Sequence, residues 1–217
     1  MSMPGVPDRP KEVQPATPLM TLLAFTDGSK YRSRKYTRKF TRAGAGVFFP
    51  DLNEEHSCQV PPSLRQTSAA GEVCAVLLAL RKIRHMSANI HIVSDNTYVV
   101  YVLSHKLEEY QQQDFSDVSH PELWREIVRE LSLFPRVLTT EWTRAHTNGV
   151  SKMAVGNDRA DHEAKQAARW NPSEVPPTLG LDPVTSSAVR IASLERKTKS
   201  KVILRRLLFF SWFSKVF

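Results

Sequence analysis

Four carboxylates fall where regular elements begin or end. Asp27 follows an apolar run of strand length, Thr21 to Thr26 (TLLAFT), and Asp95 follows another, Asn89 to Ser94 (NIHIVS). Glu72 lies in the opening turns of a helical stretch and Asp161 in the last helix of the chain. If the two strands are parallel neighbours, Asp27 and Asp95 leave the sheet at one edge, where open α/β sheets place their sites, with Glu72 and Asp161 within reach. Four such groups repel and drive one another's pKa values up unless cations neutralise them. Hard divalent ions with oxygen ligands do this, magnesium being the common case beside substrate phosphate. Two such ions held close together activate a water and stabilise a leaving oxygen in an in-line phosphoryl displacement. The implied chemistry is phosphodiester hydrolysis. Taken singly, each residue has a plainer reading: an Asp-Gly turn, an exposed helical acid, a helix N-cap, a charged helical face.

The elements that must position these groups are read from periodicity. The run Thr21 to Thr26 stops at Asp27-Gly28, a turn signal; Ala43 to Phe49 (AGAGVFF) and His56 to Val60 complete an antiparallel meander. From Ser68 to His85 the period becomes helical, with Val73, Val76, Leu77, Leu80 and Ile83 on one buried face and Ser68 as the N-cap. Thr97 to Leu103 reads as a short helix and Leu123 to Phe134, introduced by Pro121, as an amphipathic one. A fifth strand, Val137 to Thr143, leads through a loop with His146, Asn148 and Gly149 to a last helix, Asp158 to Arg169. Three early strands followed by alternating helix and strand describe an α/β fold, a five-stranded mixed sheet flanked by helices.

The chain of 217 residues is 41% apolar and 24% charged, which excludes a wholly disordered chain and a multi-span membrane protein. Two cysteines, Cys58 and Cys74, build no disulfide framework. Residues 1–20 are proline-rich, with neither a secretory apolar core nor an acid-free transit helix, and read as a disordered lead. An intracellular protein of cytoplasm or nucleus is expected. Residues 21–170 form the domain, and residues 171–217 a Pro, Ser and Thr linker followed by a basic and apolar tail. The tail closes on Leu207 to Phe213, too short to span a bilayer; it reads as a terminal extension, or as a segment that docks a partner or a membrane surface. The formal charge is +8, and Lys30, Arg32, Arg34, Lys35, Arg38, Lys39 and Arg42 form a run without an acid, suited to phosphates or, more plainly, to a solvated loop.

The ordered motifs Phe25-Thr26-Asp27-Gly28-Ser29, Gly71-Glu72-Val73-Cys74-Ala75, Val93-Ser94-Asp95-Asn96-Thr97 and Gly156-Asn157-Asp158-Arg159-Ala160-Asp161 resemble those of the type I ribonuclease H family. Glu122-Leu123-Trp124 and Glu141-Trp142-Thr143-Arg144-Ala145-His146 support the likeness, which covers residues 21–170. It implies a ribonuclease H-like fold and a metal-dependent endonuclease that cuts the RNA strand of RNA/DNA hybrids, leaving a 5′-phosphate and a 3′-hydroxyl. It also implies two magnesium ions, with manganese as a substitute, held by Asp27, Glu72, Asp95 and Asp161, and a monomer acting on hybrid. Asp161 is taken over Asp158 because the N-x-x-A-D pattern ends on the ligand. His146 matches the family's loop histidine, suited to proton transfer or product departure.

Gly28, Ser29, Ser68, Asn96 and Asn157 fall on motif positions expected to meet substrate. Two departures bear on that contact. Ser68-Ala69-Ala70-Gly71 stands where family members usually place Asn, Gln or Arg before the helical glutamate, and Leu107 to His120 holds acids and no Lys or Arg where some members carry a basic protrusion. Arg34, Lys35, Arg38 and Lys39 are then the candidates for gripping the duplex backbone. Two other readings stay open: a catalytically idle hybrid-binding module, and a related superfamily nuclease acting on DNA.

Overall fold

The strand that opens at Met20 does not stop at Asp27-Gly28 but runs on to Arg32 as β1 (Met20–Arg32). The local turn signal is overridden by pairing: Gly28 lies beside Ala45 and Ser29 beside Gly44 of β2 (Thr41–Phe49), which is antiparallel to β1. β2 pairs in turn with antiparallel β3 (Glu54–Gln59), so the expected meander forms. This computed structural model describes residues 19–32, 41–145 and 150–169; the expectations for residues 1–18, for Arg34, Lys35, Arg38 and Lys39, for His146 and for residues 170–217 lie outside the described residues.

Beyond the meander come α1 (Ser68–Lys82), β4 (Ala88–Ser94), α2 (Thr97–Tyr101), α3 (Leu107–Gln112), α4 (Pro121–Leu133), β5 (Leu138–Trp142) and α5 (Lys152–Arg169). The sheet order is β3-β2-β1-β4-β5, with β4 parallel to both β1 and β5. The five-stranded mixed sheet is therefore the one the pattern of elements describes.

Side-chain parity along β1 separates two layers, because successive residues of a strand face opposite ways. On one face Leu22 and Ala24 belong to the main core, with Val73, Val76, Leu77 and Leu80 of α1 and with Trp124 and Ile127 of α4. On the other, Phe25 packs with Phe48, Val93 and Ala160 of α5, the two phenylalanine rings stacked at 6.3 Å. α1 is buried all round from Ala70 to Leu80, more than the single face its period suggests. It is sandwiched between β1 and β2 and α4, and Arg81 and Arg84 clamp it to Glu126 and Glu130 of α4 at 2.7 Å.

Three boundaries differ from the sequence reading. Thr67, not Ser68, caps α1, its Oγ1 accepting from the Ala70 amide at 3.0 Å. The short helix at Thr97 continues past Leu103 through a π turn, Val102–Lys106, into α3. α5 begins at Lys152, six residues before Asp158, and takes in Gly156-Asn157. Gly156 is a poor helix former, but a Cβ there would fall 2.3 Å from the Phe25 ring, so contact with the sheet selects it over propensity. Among the described residues no helix is long and apolar enough to cross a membrane.

Candidate active site

The last parallel pair between β1 and β4 is Thr26 beside Ser94, so Asp27 and Asp95 are the next residues of two adjacent strands running the same way. They come level with one another, but only Asp95 leaves the sheet, as the first residue past β4, while Asp27 stays in it beside Gly46 of β2. Glu72 reaches them because α1 lies hard against β1 at Gly28. A Cβ on Gly28 would sit 2.1 Å from the Glu72 nitrogen and 2.4 Å from the Gly71 carbonyl carbon, a closeness only glycine allows. The Ser68 hydroxyl donates to the Gly28 carbonyl at 2.9 Å and fastens the first turn of the helix there.

One oxygen each of Asp27, Glu72 and Asp95 lies within 4.8 Å of the others, an arrangement able to hold a metal ion. Burial, then the charges of Asp95 and Asp161, push the Asp27 carboxyl up to about 7, although its Oδ1 accepts from the Gly28 amide at 2.6 Å. Burial, then the charges of Asp27 and Asp95, push Glu72 up to about 10. Asp161 meets the group through Asp27, close enough for a hydrogen bond between the two carboxyls, and its Oδ2 lies 2.5 Å from Lys165 Nζ. Asp158, by contrast, is exposed.

Two other buried carboxylates show what is unusual here. Glu126 and Glu130 are as deeply buried, yet each is paired with arginine. Glu72, 5% exposed, has an Oε2 with no hydrogen-bond partner. A buried carboxylate oxygen left without a donor is costly. A hard divalent cation supplies the missing counter-charge, and an all-oxygen donor set is the kind magnesium, manganese and calcium take. The residues present therefore fit such an ion.

Of the residues expected at substrate, Ser29 is half-buried beside Gly28, and Ser68 is exposed at the start of α1. Asn96 is the N-cap of α2, its Oδ1 accepting from the amides of Tyr98 and Val99 at 3.1 Å, which leaves the adjacent Asp95 carboxylate uncommitted to capping. Asn157 is 1% exposed and its Nδ2 lies 3.4 Å from Asp95 Oδ2, so it meets a carboxylate of the cluster. Two residues at the site escaped the sequence reading. Trp142, which ends β5 level with Ser94, donates its indole N–H to the Asp95 carbonyl at 3.0 Å. Lys165 pairs with Asp161, and its signal was the i,i+4 spacing of an acid and a lysine. Asp95 is thus held from two sides, its carbonyl by β5 and its carboxylate by α5.

A family model described as RNase H matches residues 20–169. No curated protein sequence matches the chain. Among solved structures, the prototype foamy virus protease-reverse transcriptase is similar at 22% identity and a TM-score of 0.60, over 74% of this chain and 22% of that one. The chain thus spans about a fifth of that protein's length. The RNase H domain of the same virus, in solution, is similar at 22% identity and a TM-score of 0.56, over 68% of this chain and 94% of that one. LC9-RNase H1, a type 1 RNase H with the type 2 active-site motif, is similar at 19% identity and a TM-score of 0.51, over 74% and 77% of the two chains. The foamy viral protein has also been solved with an RNA/DNA hybrid and with double-stranded DNA. These likenesses are of fold. The family match, however, runs from the first residue of β1 to the last of α5 and takes in all four carboxylates, and on it the chain belongs to the RNase H family.

Proposed function

We propose that this chain is a divalent-cation-dependent endoribonuclease that hydrolyses the RNA strand of RNA/DNA hybrids to 5′-phosphate and 3′-hydroxyl ends. The observation that carries the reading is the Asp27-Glu72-Asp95 cluster, two of its carboxylates buried and one partly buried, with its partnerless Glu72 oxygen, on an RNase H fold. The foamy viral protein of the same fold, solved with an RNA/DNA hybrid, makes hybrid the substrate to test first.

Asp27, Glu72 and Asp95 would hold one magnesium ion, and Asp27 with Asp161 a second. When bound, such ions lower the pKa of a water and neutralise charge on the phosphate. The rest falls to the chain's own groups. Asn157 and Trp142 fix the orientation of Asp95, and Gly28 with Ser68 fixes that of Glu72. His146, between β5 and α5, is the residue for a proton at its ring nitrogen, delivered to the departing 3′-oxygen as the P–O bond breaks and water oxygen joins phosphorus. Ser68, exposed beside Gly28, gives its hydroxyl proton to the Gly28 carbonyl and keeps its oxygen to accept from a 2′-hydroxyl in a shallow minor groove, which marks the RNA strand. Arg34, Lys35, Arg38 and Lys39 grip the duplex backbone. The catalytic unit is residues 21–170, flanked by segments 1–20 and 171–217.

End-labelled RNA/DNA, RNA/RNA and DNA/DNA duplexes, incubated with and without magnesium, test this. Cleavage confined to the RNA of the hybrid and dependent on magnesium is expected. Binding without cleavage would identify an idle module, and cleavage of DNA/DNA a nuclease of another specificity.

A further inference from the structure

Lys165 stands one helical turn beyond Asp161, its ammonium 2.5 Å from Asp161 Oδ2. An acid four residues before a lysine is the favourable order on a helix, and elsewhere such a pair is a minor surface feature. Here the acid is not a surface one. The Asp161 carboxyl lies against that of Asp27, and Asp27 is one of the three clustered carboxylates. Among the described residues, Asp27, Glu72 and Asp95 have no lysine or arginine partner, so Asp161 alone of the four carries a positive charge of the protein's own. Lys165 is attached by a flexible four-carbon stem and its side chain is 45% exposed, so the ammonium has somewhere to go when it leaves.

We propose that Lys165 is a built-in counter-ion: its ammonium neutralises and orients Asp161 and must be displaced before a divalent cation can use that carboxylate. This rests on the cation-dependent reading above and adds an asymmetry to it. The cluster of Asp27, Glu72 and Asp95 takes its cation unopposed, whereas a cation at Asp161 competes with a monovalent group already in place. The two positions then fill at different cation concentrations, and Lys165 sets the gap between them. Lys165 is a positioning residue in this account, acting through Asp161.

The experiment is a titration of the full chain with manganese alone, followed by calorimetry and by the electron-spin signal of free manganese. The variants are Lys165→Met, Lys165→Arg, Asp161→Asn, the double variant Asp161→Asn with Lys165→Met, and Asp27→Asn. The wild type should show a tighter and a weaker site. Lys165→Met should tighten the weaker one about two- to fivefold, the size of a partly exposed ion pair, and leave the tighter one nearly unchanged. Lys165→Arg should behave as wild type, and Lys165→Met should add nothing in the Asp161→Asn background. The magnesium concentration for half-maximal hybrid cleavage should fall in Lys165→Met. An unchanged weaker site, or an equal gain in the Asp161→Asn background, would overturn the proposal and leave the cation-dependent reading standing. Manganese binding absent in the wild type, or indifferent to Asp27→Asn, would instead overturn that reading, and the counter-ion role with it.

Discussion

Gly28 and the backbone of Glu72 occupy the same space that a single methyl group would need: a Cβ on Gly28 would lie 2.1 Å from the Glu72 nitrogen. The contact is backbone against backbone, so no side-chain rotation relieves it. Gly28→Ala should therefore push α1 off β1, costing about 2–3 kcal/mol or more by denaturant unfolding, and carry Glu72 away from Asp27 and Asp95. Manganese affinity should drop in the folded fraction. Unaltered stability and affinity in Gly28→Ala would mean that the close approach is not what delivers Glu72.

The bond from the Trp142 indole to the Asp95 carbonyl spans two strands, and Trp142 is otherwise 49% exposed at the rim of the sheet. Trp142→Phe keeps a ring and loses the N–H. Stability should fall by only about 0.5–1.5 kcal/mol, the net worth of one hydrogen bond. The turnover number should fall severalfold with little change in KM, because Asp95 loses one of its two restraints. An unchanged turnover number would reduce the bond to a feature of the sheet edge.

The raised carboxyls tie stability to pH in a definite direction. Asp27 goes from an ordinary 3.8 to about 7 and Glu72 from 4.5 to about 10, so in the cation-free protein the folded state holds protons the unfolded chain has released. Their contribution is fully present below the unfolded values. It is lost as pH rises, at on the order of 1 kcal/mol per pH unit per group, until each folded value is passed. Without divalent ions, melting temperature should thus decline from pH 5 to pH 8. Magnesium should restore more of it at pH 8 than at pH 5, because at pH 8 binding displaces the Glu72 proton alone, whereas at pH 5 it displaces that of Asp27 as well. Melting curves at both pH values, with and without magnesium, check this; equal magnesium stabilisation at the two would contradict it.

Salt dependence reads the grip on the duplex. If Arg34, Lys35, Arg38 and Lys39 contact phosphates, changing all four to Gln should weaken hybrid binding and flatten the slope of log K against log salt by roughly one unit per lost contact. The cleavage rate at saturating hybrid should hold, since positioning contacts do not touch the reacting phosphate. An unchanged slope would assign the run to solubility.

The four carboxylates were legible because each follows or lies in a stretch whose period is plain: two apolar runs of strand length and two helices. The meeting of Asp27 with Asp95 depended only on β1 and β4 being parallel neighbours, which the alternation of elements implies. What stayed hidden was set by packing between distant segments. Asp27-Gly28 reads locally as a turn, yet β2 keeps it in the sheet. Gly156 reads as a loop residue, yet the Phe25 ring demands it inside α5. Thr67 takes the cap that Ser68 was expected to make, and Ser68 turns its hydroxyl to Gly28 instead. The hold of Trp142 on Asp95 follows from a strand register that no local pattern encodes.

On the proposed function, Asp27, shared between the cluster and Asp161, is indispensable to cleavage of hybrid. The direct measurement is the initial rate at which wild type and Asp27→Asn, both shown folded by circular dichroism, cut a labelled RNA/DNA hybrid in magnesium, with the product ends identified. Wild type should leave 5′-phosphates, and Asp27→Asn should be slower by at least about a hundredfold, since the lost charge is a ligand and not a support. A rate in Asp27→Asn equal to that of wild type would contradict the account.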